Sequence, residues 1–358
     1  MASSIDLHRN PEAADAMRAL NGISLEALLP WTARIWSQLQ GARAAGRLAH
    51  GLLLSGPVGV GKRHFAECLA QSLLCRTPGP GGIACGRCAD CELLALGNHP
   101  DLLRVGPDPE SKSGEIPIAM IRLFTERESL TPSRAEWKVA LIDPADRLNP
   151  AAANALLKTL EEPAGQTLLC LIGERTGSLP ATIRSRCLQI RVPAPADAEA
   201  LSWLNAQSPR SDWELRLRLA HGAPLRALRD FDDAWLAQRQ ERLTGFLAMA
   251  AGGRDPLAEA AAWNAPGAKL MLEWLASWMC DLVRLMATAE DVRLENPDRQ
   301  ADLAALARRI EPAVGHRFLQ RVLEGRALAE TNLNHQLLLE SLAIDWSRIA
   351  RGGEHRRP

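Results

Sequence analysis

The stretch that decides the fold is Leu53-Leu54-Ser55-Gly56-Pro57-Val58-Gly59-Val60-Gly61-Lys62-Arg63-His64-Phe65-Ala66. Leu52 to Leu54 make the apolar run that a buried strand needs, and His64 to Leu74 can be helical. Between them stand Gly56, four residues, Gly61 and Lys62, so the order is strand, glycine-rich turn, helix. Such an order builds a phosphate cradle. Glycines let backbone amides close round phosphate oxygens while the lysine reaches the outer phosphates. Gly56, Gly59, Gly61 and Lys62, with Arg63 after them and Asp143 further along the chain, are therefore the candidate nucleotide-site residues. The next letter departs from the pattern: where a Ser or Thr would hold magnesium stands Arg63, and a guanidinium cannot ligate a cation. The alternative is a tight strand-to-helix turn that never holds nucleotide.

Composition narrows the field. A chain of 358 residues has room for two or three domains. Acidic and basic residues number 42 each, which excludes a protein that holds nucleic acid by bulk positive charge alone. No apolar run reaches the about 18 residues of a membrane helix, and the N-terminus lacks a signal-peptide core, so the expectation is a cytoplasmic protein with no membrane partner. Four of the eight cysteines fall between Cys75 and Cys91, a metal pattern and not a disulfide framework.

Residues 1–22 have little periodicity and read as a loosely ordered extension, within which Met17 is a second possible start. Leu28 to Leu48 reads as a helix with Pro30 in its first turn. Cys75, Cys85, Cys88 and Cys91 follow the first long helix at C-x9-C-x2-C-x2-C, offering the four thiolates of a closed, structural zinc site. Four thiols without metal are the alternative. His99, before Pro100, reads as a turn residue ahead of a strand Leu102 to Val105. Pro107 to Glu115 reads as an exposed loop and Ile118 to Leu130 as a helix. Lys138 to Asp143 is a further buried strand whose terminal Asp143 stands where an acid would hold water around magnesium. Pro144 follows it in place of the glutamate that polarises the attacking water. Asn149-Pro150 carries both start signals of the next helix, which stops before Pro163. Another apolar strand, Thr167 to Ile172, leads to Ile183-Arg184-Ser185-Arg186-Cys187. Strands and helices in alternation predict a parallel, doubly wound sheet.

Taken together, I-D-P-A-D-R-L-N-P-A-A-A-N-A-L-L-K-T-L-E-E-P at 142–163, L-P-A-T-I-R-S-R-C at 179–187, the cysteine insertion and Asn98-His99-Pro100-Asp101 resemble the clamp-loader branch of the AAA+ ATPases in bacteria. The resemblance implies an α/β AAA+ domain over 23–193, a parallel sheet flanked by helices with a zinc module at 75–91. It further implies a small helical lid over 194–235, an all-α oligomerising collar over 236–350 and a tail over 351–358. In that family the arginine of S-R-C, here Arg186, reaches into the ATP site of a neighbouring subunit. Its other reading is a structural salt-bridge arginine. His221 to Leu228 is similar to the segment that supplies a second phosphate-sensing arginine, with Arg226 one position out of register.

Three departures from the catalytic members stand out: Arg63, Pro144, and Gly173 where a polar residue follows the strand. The resemblance therefore implies a stator-like subunit without ATPase activity of its own, with ATP or ADP held, if at all, without hydrolysis. Its implied partners are gamma/tau-type and delta-type subunits in a hetero-pentamer, the sliding clamp, and primed DNA during replication. Contacts to DNA would be few and made to the phosphate backbone, with Lys158 a candidate. The rivals are an active gamma/tau-type ATPase, against which Arg63 and Pro144 speak, and a DNA-repair ATPase, against which the balanced charge speaks. In the C-terminal region, Met271, Trp274, Trp278, Leu282 and Leu285 predict a packed helix face, as do Leu333, Leu337, Glu340 and Ile344 in the last helix.

Overall fold

The computed structural model describes residues 27–107, 114–128, 131–287, 292–329, 331 and 333–350. The expected extension over 1–22, the tail over 351–358 and most of the loop from Pro107 to Glu115 lie outside them. The chain divides into two compact units. One runs to Trp203 and takes in Ala223–Leu225, and the other comprises Leu204–Gly222 and the chain from Arg226 onward.

The first unit is organised by five strands: β1 Gly51–Ser55, β2 Leu102–Val105, β3 Lys138–Ile142, β4 Thr167–Ile172 and β5 Leu188–Arg191. They form one parallel sheet in the order β2-β3-β4-β1-β5. β1 is flanked by strands on both sides, and its residues alternate between two cores. Leu52 and Leu54 face Phe65, Leu69 and Leu73 of helix Lys62–Leu74 and Trp36 and Leu39 of helix Ala33–Ala44. Leu53 faces the opposite layer, with Phe124 of helix Ile118–Glu128 and Leu156 and Leu160 of helix Pro150–Glu161. Burial on both faces explains why β1, β3 and β4 read as unbroken apolar runs. β5 escapes that signal because it is an edge strand: Leu188 is 49% exposed and its neighbours are polar.

Local signals set the helix ends. Asn149 accepts a hydrogen bond from the Ala152 amide at 2.8 Å, with Pro150 in the first position of the helix. The first helix is shorter than its spacing suggested, since Pro30–Thr32 forms a separate short turn before Ala33–Ala44.

The second unit is helical. Asp233–Ala250, Pro256–Trp263, Ala268–Ala287, Gln300–Ala307, Pro312–Leu328 and His335–Ala350 enclose one core. Phe246 stacks on Trp346 with ring centroids 4.1 Å apart, and the Trp346 indole N–H donates to the Phe246 carbonyl at 3.0 Å. Met271, Trp274, Trp278 and Leu282 are buried, as their spacing predicted. The last helix presents a different face from the one expected. Leu333 precedes it, Leu337 is 61% exposed, and the buried residues are Leu339, Leu342, Ala343, Trp346, Ser347 and Ala350. Steps of three and four fit both faces of this helix, and the large Trp346, which Phe246 and Phe318 cover, decides between them. Among the described residues no helix is long and apolar enough to cross a membrane.

Trp346→Ala removes a fully buried indole and its hydrogen bond, so it should cost the helical unit about 3–5 kcal/mol. Chemical denaturation followed by tryptophan emission measures this, and an unchanged midpoint would contradict the packing described.

Candidate functional site

The glycine-rich turn lies at the end of β1, and its glycines are demanded by the backbone. Gly56 has φ +143° and a Cβ there would sit 2.2 Å from the Val192 carbonyl oxygen, while Gly61, at φ +92°, would meet Leu29 at 2.2 Å. Gly59 is also left-handed, at φ 76°. No chiral residue fits at Gly56 or Gly61 without displacing β5's exit or Leu29. Among the described residues, the amides of Gly59, Val60, Gly61 and Lys62 find no acceptor, although Val60, Gly61 and Lys62 are buried. Unpaired buried amides at a helix start fit an anion.

Of the two cations of the turn, Lys62 is turned inward and Arg63 is exposed. Lys62 donates through Nζ to the carbonyls of Gly56 at 2.8 Å and Pro57 at 2.7 Å. Burial lowers the pKa of its ammonium, opposed by the carboxylates of Glu174, Asp143 and Asp146. Arg63 pairs through Nε with Asp143, the acid just beyond β3. Burial pushes the Asp143 carboxyl up, and Arg63 opposes it. The oxygen that would face magnesium thus faces a guanidinium. Gly173 follows β4 beside Asp146 Oδ1, which a Cβ would approach to 3.3 Å, and it carries no polar side chain for a phosphate. The turn suits a phosphate but its metal corner does not suit magnesium.

Arg186 lies between the short helix Ala181–Arg184 and β5. Its guanidinium is partly exposed, donates from Nε to Glu161 Oε1 at 2.8 Å and from Nη1 to the Thr182 carbonyl at 3.0 Å, and has Nη2 2.5 Å from the same Glu161 oxygen in the ion pair. Arg226 pairs with Glu273 at 3.1 Å and stacks over the Phe231 ring, 5.4 Å from its centroid. Its neighbour Leu225 is the residue that reaches the glycine turn, donating its amide to the Gly59 carbonyl at 3.0 Å. Lys158 is exposed on helix Pro150–Glu161.

The four clustered cysteines converge. Cys75 ends helix Lys62–Leu74, Cys85 lies in the loop, and Cys88 caps helix Ala89–Ala95, which carries Cys91. Their sulfurs lie within 4.8 Å of one another, with Cys75–Cys88 and Cys85–Cys91 each at 3.9 Å. A tetrahedral site with Zn–S bonds of about 2.3 Å has sulfur–sulfur edges of roughly 3.8 Å, so the set can hold a metal ion and is compatible with zinc. The Thr77 hydroxyl and then the Arg87 amide bring the Cys85 thiol down to about 6, whereas burial pushes Cys91 up. Binding a metal would therefore displace protons. Beside the cluster, fully buried Asp90 pairs with Arg76 and with Arg134 at 2.7 Å. Burial opposes the ionisation of Asp90, but Arg134 and Arg76 outweigh it and hold its pKa below the ordinary value. His99, read as a turn residue, is also buried against Asp90, at 3.6 Å, and is not among the four ligands. Asp101 accepts from the amides of Ser133, Arg134 and Ala135 at 2.6–2.9 Å, joining the segments that lead into β2 and β3.

Comparison with known proteins decides the lineage. The family described as DNA polymerase III, delta subunit, matches residues 31–196, and its C-terminal counterpart matches 233–348. A DNA polymerase III subunit delta' of Pseudomonas aeruginosa is 36% identical, the alignment covering 91% of this chain and 99% of that protein. The chain belongs to the DNA polymerase III delta' family. The Escherichia coli delta' subunit is 32% identical over 88% of this chain and 94% of its own length. DNA polymerase III subunit tau of Salmonella typhimurium is 30% identical over 82% of this chain and 49% of that protein. As a delta' family member the chain is a clamp-loader subunit of DNA polymerase III, and its first unit is an AAA+ α/β domain.

Sequence reasoning named the glycine turn, Asp143, Arg186 and the four cysteines, and the structure brings each set together as described. It missed Glu161 and Asp90. Both are single acids whose partners are distant in the chain, so no spacing announces them; only the sheet order brings Glu161 to Arg186. For the metal site, the geometry predicts about one zinc per chain by metal analysis, lost in Cys88→Ser. A folded, metal-free protein with four freely titrating thiols would contradict it.

Proposed function

We propose that this delta' family member is the non-hydrolysing stator of its clamp loader and supplies Arg186 in trans to the ATP bound by a neighbouring gamma/tau-type subunit. The observation that carries the first half is the Arg63–Asp143 pair, which fills with a side chain the corner where an ATPase holds magnesium. Pro144 and Gly173 support it, because neither offers the acid or the polar group that water activation and phosphate sensing need. The unpaired amides and Lys62 leave phosphate binding as a retained capacity, with ATP or ADP as a ligand that is not turned over.

Arg186 supports the second half by its placement. It is partly solvent-exposed, on the segment matching S-R-C, and still has hydrogens on both terminal nitrogens to offer a phosphoryl group. A trans arginine stabilises the charge spread over the transferred phosphoryl oxygens and is worth about a thousandfold or more in rate. In this reading the subunit assembles with gamma/tau and delta subunits through its helical collar. The complex opens the sliding clamp and loads it on primed DNA, and the four-cysteine module holds a structural zinc. The cytoplasm is the compartment that this role requires.

Two outcomes test the reading. The purified chain should turn over no ATP, and Lys62→Ala should change nothing; turnover abolished by that substitution would make it an active motor. In a clamp loader reconstituted from this chain and its motor subunits, Arg186→Ala should leave assembly intact while the site it serves loses about a thousandfold in rate, with Arg186→Lys a poor substitute. Unchanged DNA-stimulated turnover would remove Arg186 from the role.

A further inference from the structure

The geometry points to Glu161 as the positioning residue of Arg186: it grips one edge of the guanidinium and leaves the other aimed outward for a neighbour's phosphate. The inference rests on the trans-arginine reading above and concerns the same side chain. A guanidinium carries five N–H donors in a planar fork. Glu161 Oε1 accepts from Nε at 2.8 Å and lies 2.5 Å from Nη2 in the ion pair, and the Thr182 carbonyl accepts from Nη1 at 3.0 Å. Nη1 keeps one hydrogen and Nη2 both of its own, enough for a bidentate contact with phosphoryl oxygens.

Both halves of the pair are backed by the start of β1. The His50 ring, at Nε2, lies 2.8 Å from the carbonyl oxygen of Leu160, the residue before Glu161. Gly51 faces Leu160 and the Arg186 carbonyl so closely that a Cβ would sit 3.1 and 3.2 Å from them. Glu161 is the last residue of helix Pro150–Glu161, and Arg186 follows helix Ala181–Arg184, so two helix ends and one strand start fix the separation. The pair itself adds little to stability, since the side chains of Arg186 and Glu161 are 37% and 50% exposed. Its consequence is orientation. An arginine on an exposed turn samples many rotamers, and holding it in one lowers the entropy lost when the phosphate arrives. Glu161's own charge opposes an incoming phosphate, which a retained grip on the Nε edge keeps at a distance.

The test uses the reconstituted clamp loader with Glu161→Ala and Glu161→Gln in this chain, alone and combined with Arg186→Ala. Glu161→Ala should lower kcat of DNA-stimulated ATP hydrolysis between about threefold and a hundredfold, with little change in KM for ATP. Glu161→Gln, which keeps an acceptor oxygen, should recover most of the loss. The melting temperature of the isolated chain should be unchanged in both, and neither should have an effect in the Arg186→Ala background. Glu161→Ala with wild-type or raised turnover, while Arg186→Ala still abolishes it, would overturn the positioning role and leave the trans arginine standing. An equal loss in both backgrounds would show a merely structural effect and overturn it too. No effect of Arg186→Ala itself would instead sink the underlying reading.

Discussion

The ion pair between Arg63 and Asp143 is the constraint on which the chemistry of this chain turns. It joins the first turn of the helix after the glycine loop to the end of β3, the two places an AAA+ ATPase uses to hold magnesium. A guanidinium in that corner donates and cannot ligate, so the metal that would bridge the phosphates has no protein partner there. Lys62 has turned onto the carbonyls of its own loop. In the proposed reading, the places where an active subunit assembles lysine, hydroxyl, acid and metal are taken here by these side-chain contacts.

The AAA+ framework nevertheless persists in full. The five strands keep their order, the glycines keep their positive φ, and the loop amides stay unpaired among the described residues. This persistence has a physical reason beyond ancestry. Gly56 and Gly61 pack against Val192 and Leu29 so tightly that any side chain would displace them, so the fold itself retains the turn whether or not nucleotide enters. The same framework presents Arg186. Because β5 lies beside β1 and the helix ending in Glu161 lies beneath it, an arginine on the segment leading into β5 is delivered to one edge of the sheet with its backbone fixed.

The doubly wound sheet was legible because β1, β3 and β4 are buried on both faces and helix Pro150–Glu161 carries its own cap. The four cysteines were legible because their spacing is that of a set able to hold one metal ion, and their sulfurs do converge. β5 was not, since an edge strand half in solvent has no apolar run. The buried face of the last helix was misread because its phase depends on where Trp346 meets Phe246, a hundred residues away in the chain. Glu161 and the Asp90 pairs with Arg76 and Arg134 were invisible for the same reason: tertiary contact, not local pattern, gives them a partner. That Arg63 stands in place of a hydroxyl could be read from the sequence, but not that Arg63 would bind Asp143.

The central claim is that this chain's contribution to catalysis comes from Arg186 and not from its own phosphate loop. The most direct measurement compares two clamp loaders that differ only in this subunit, one with Lys62→Ala and one with Arg186→Ala, by DNA-stimulated ATP turnover. The account predicts wild-type turnover for the first and a large loss for the second. The reverse ranking, with the loop substitution costly and the arginine dispensable, would contradict it.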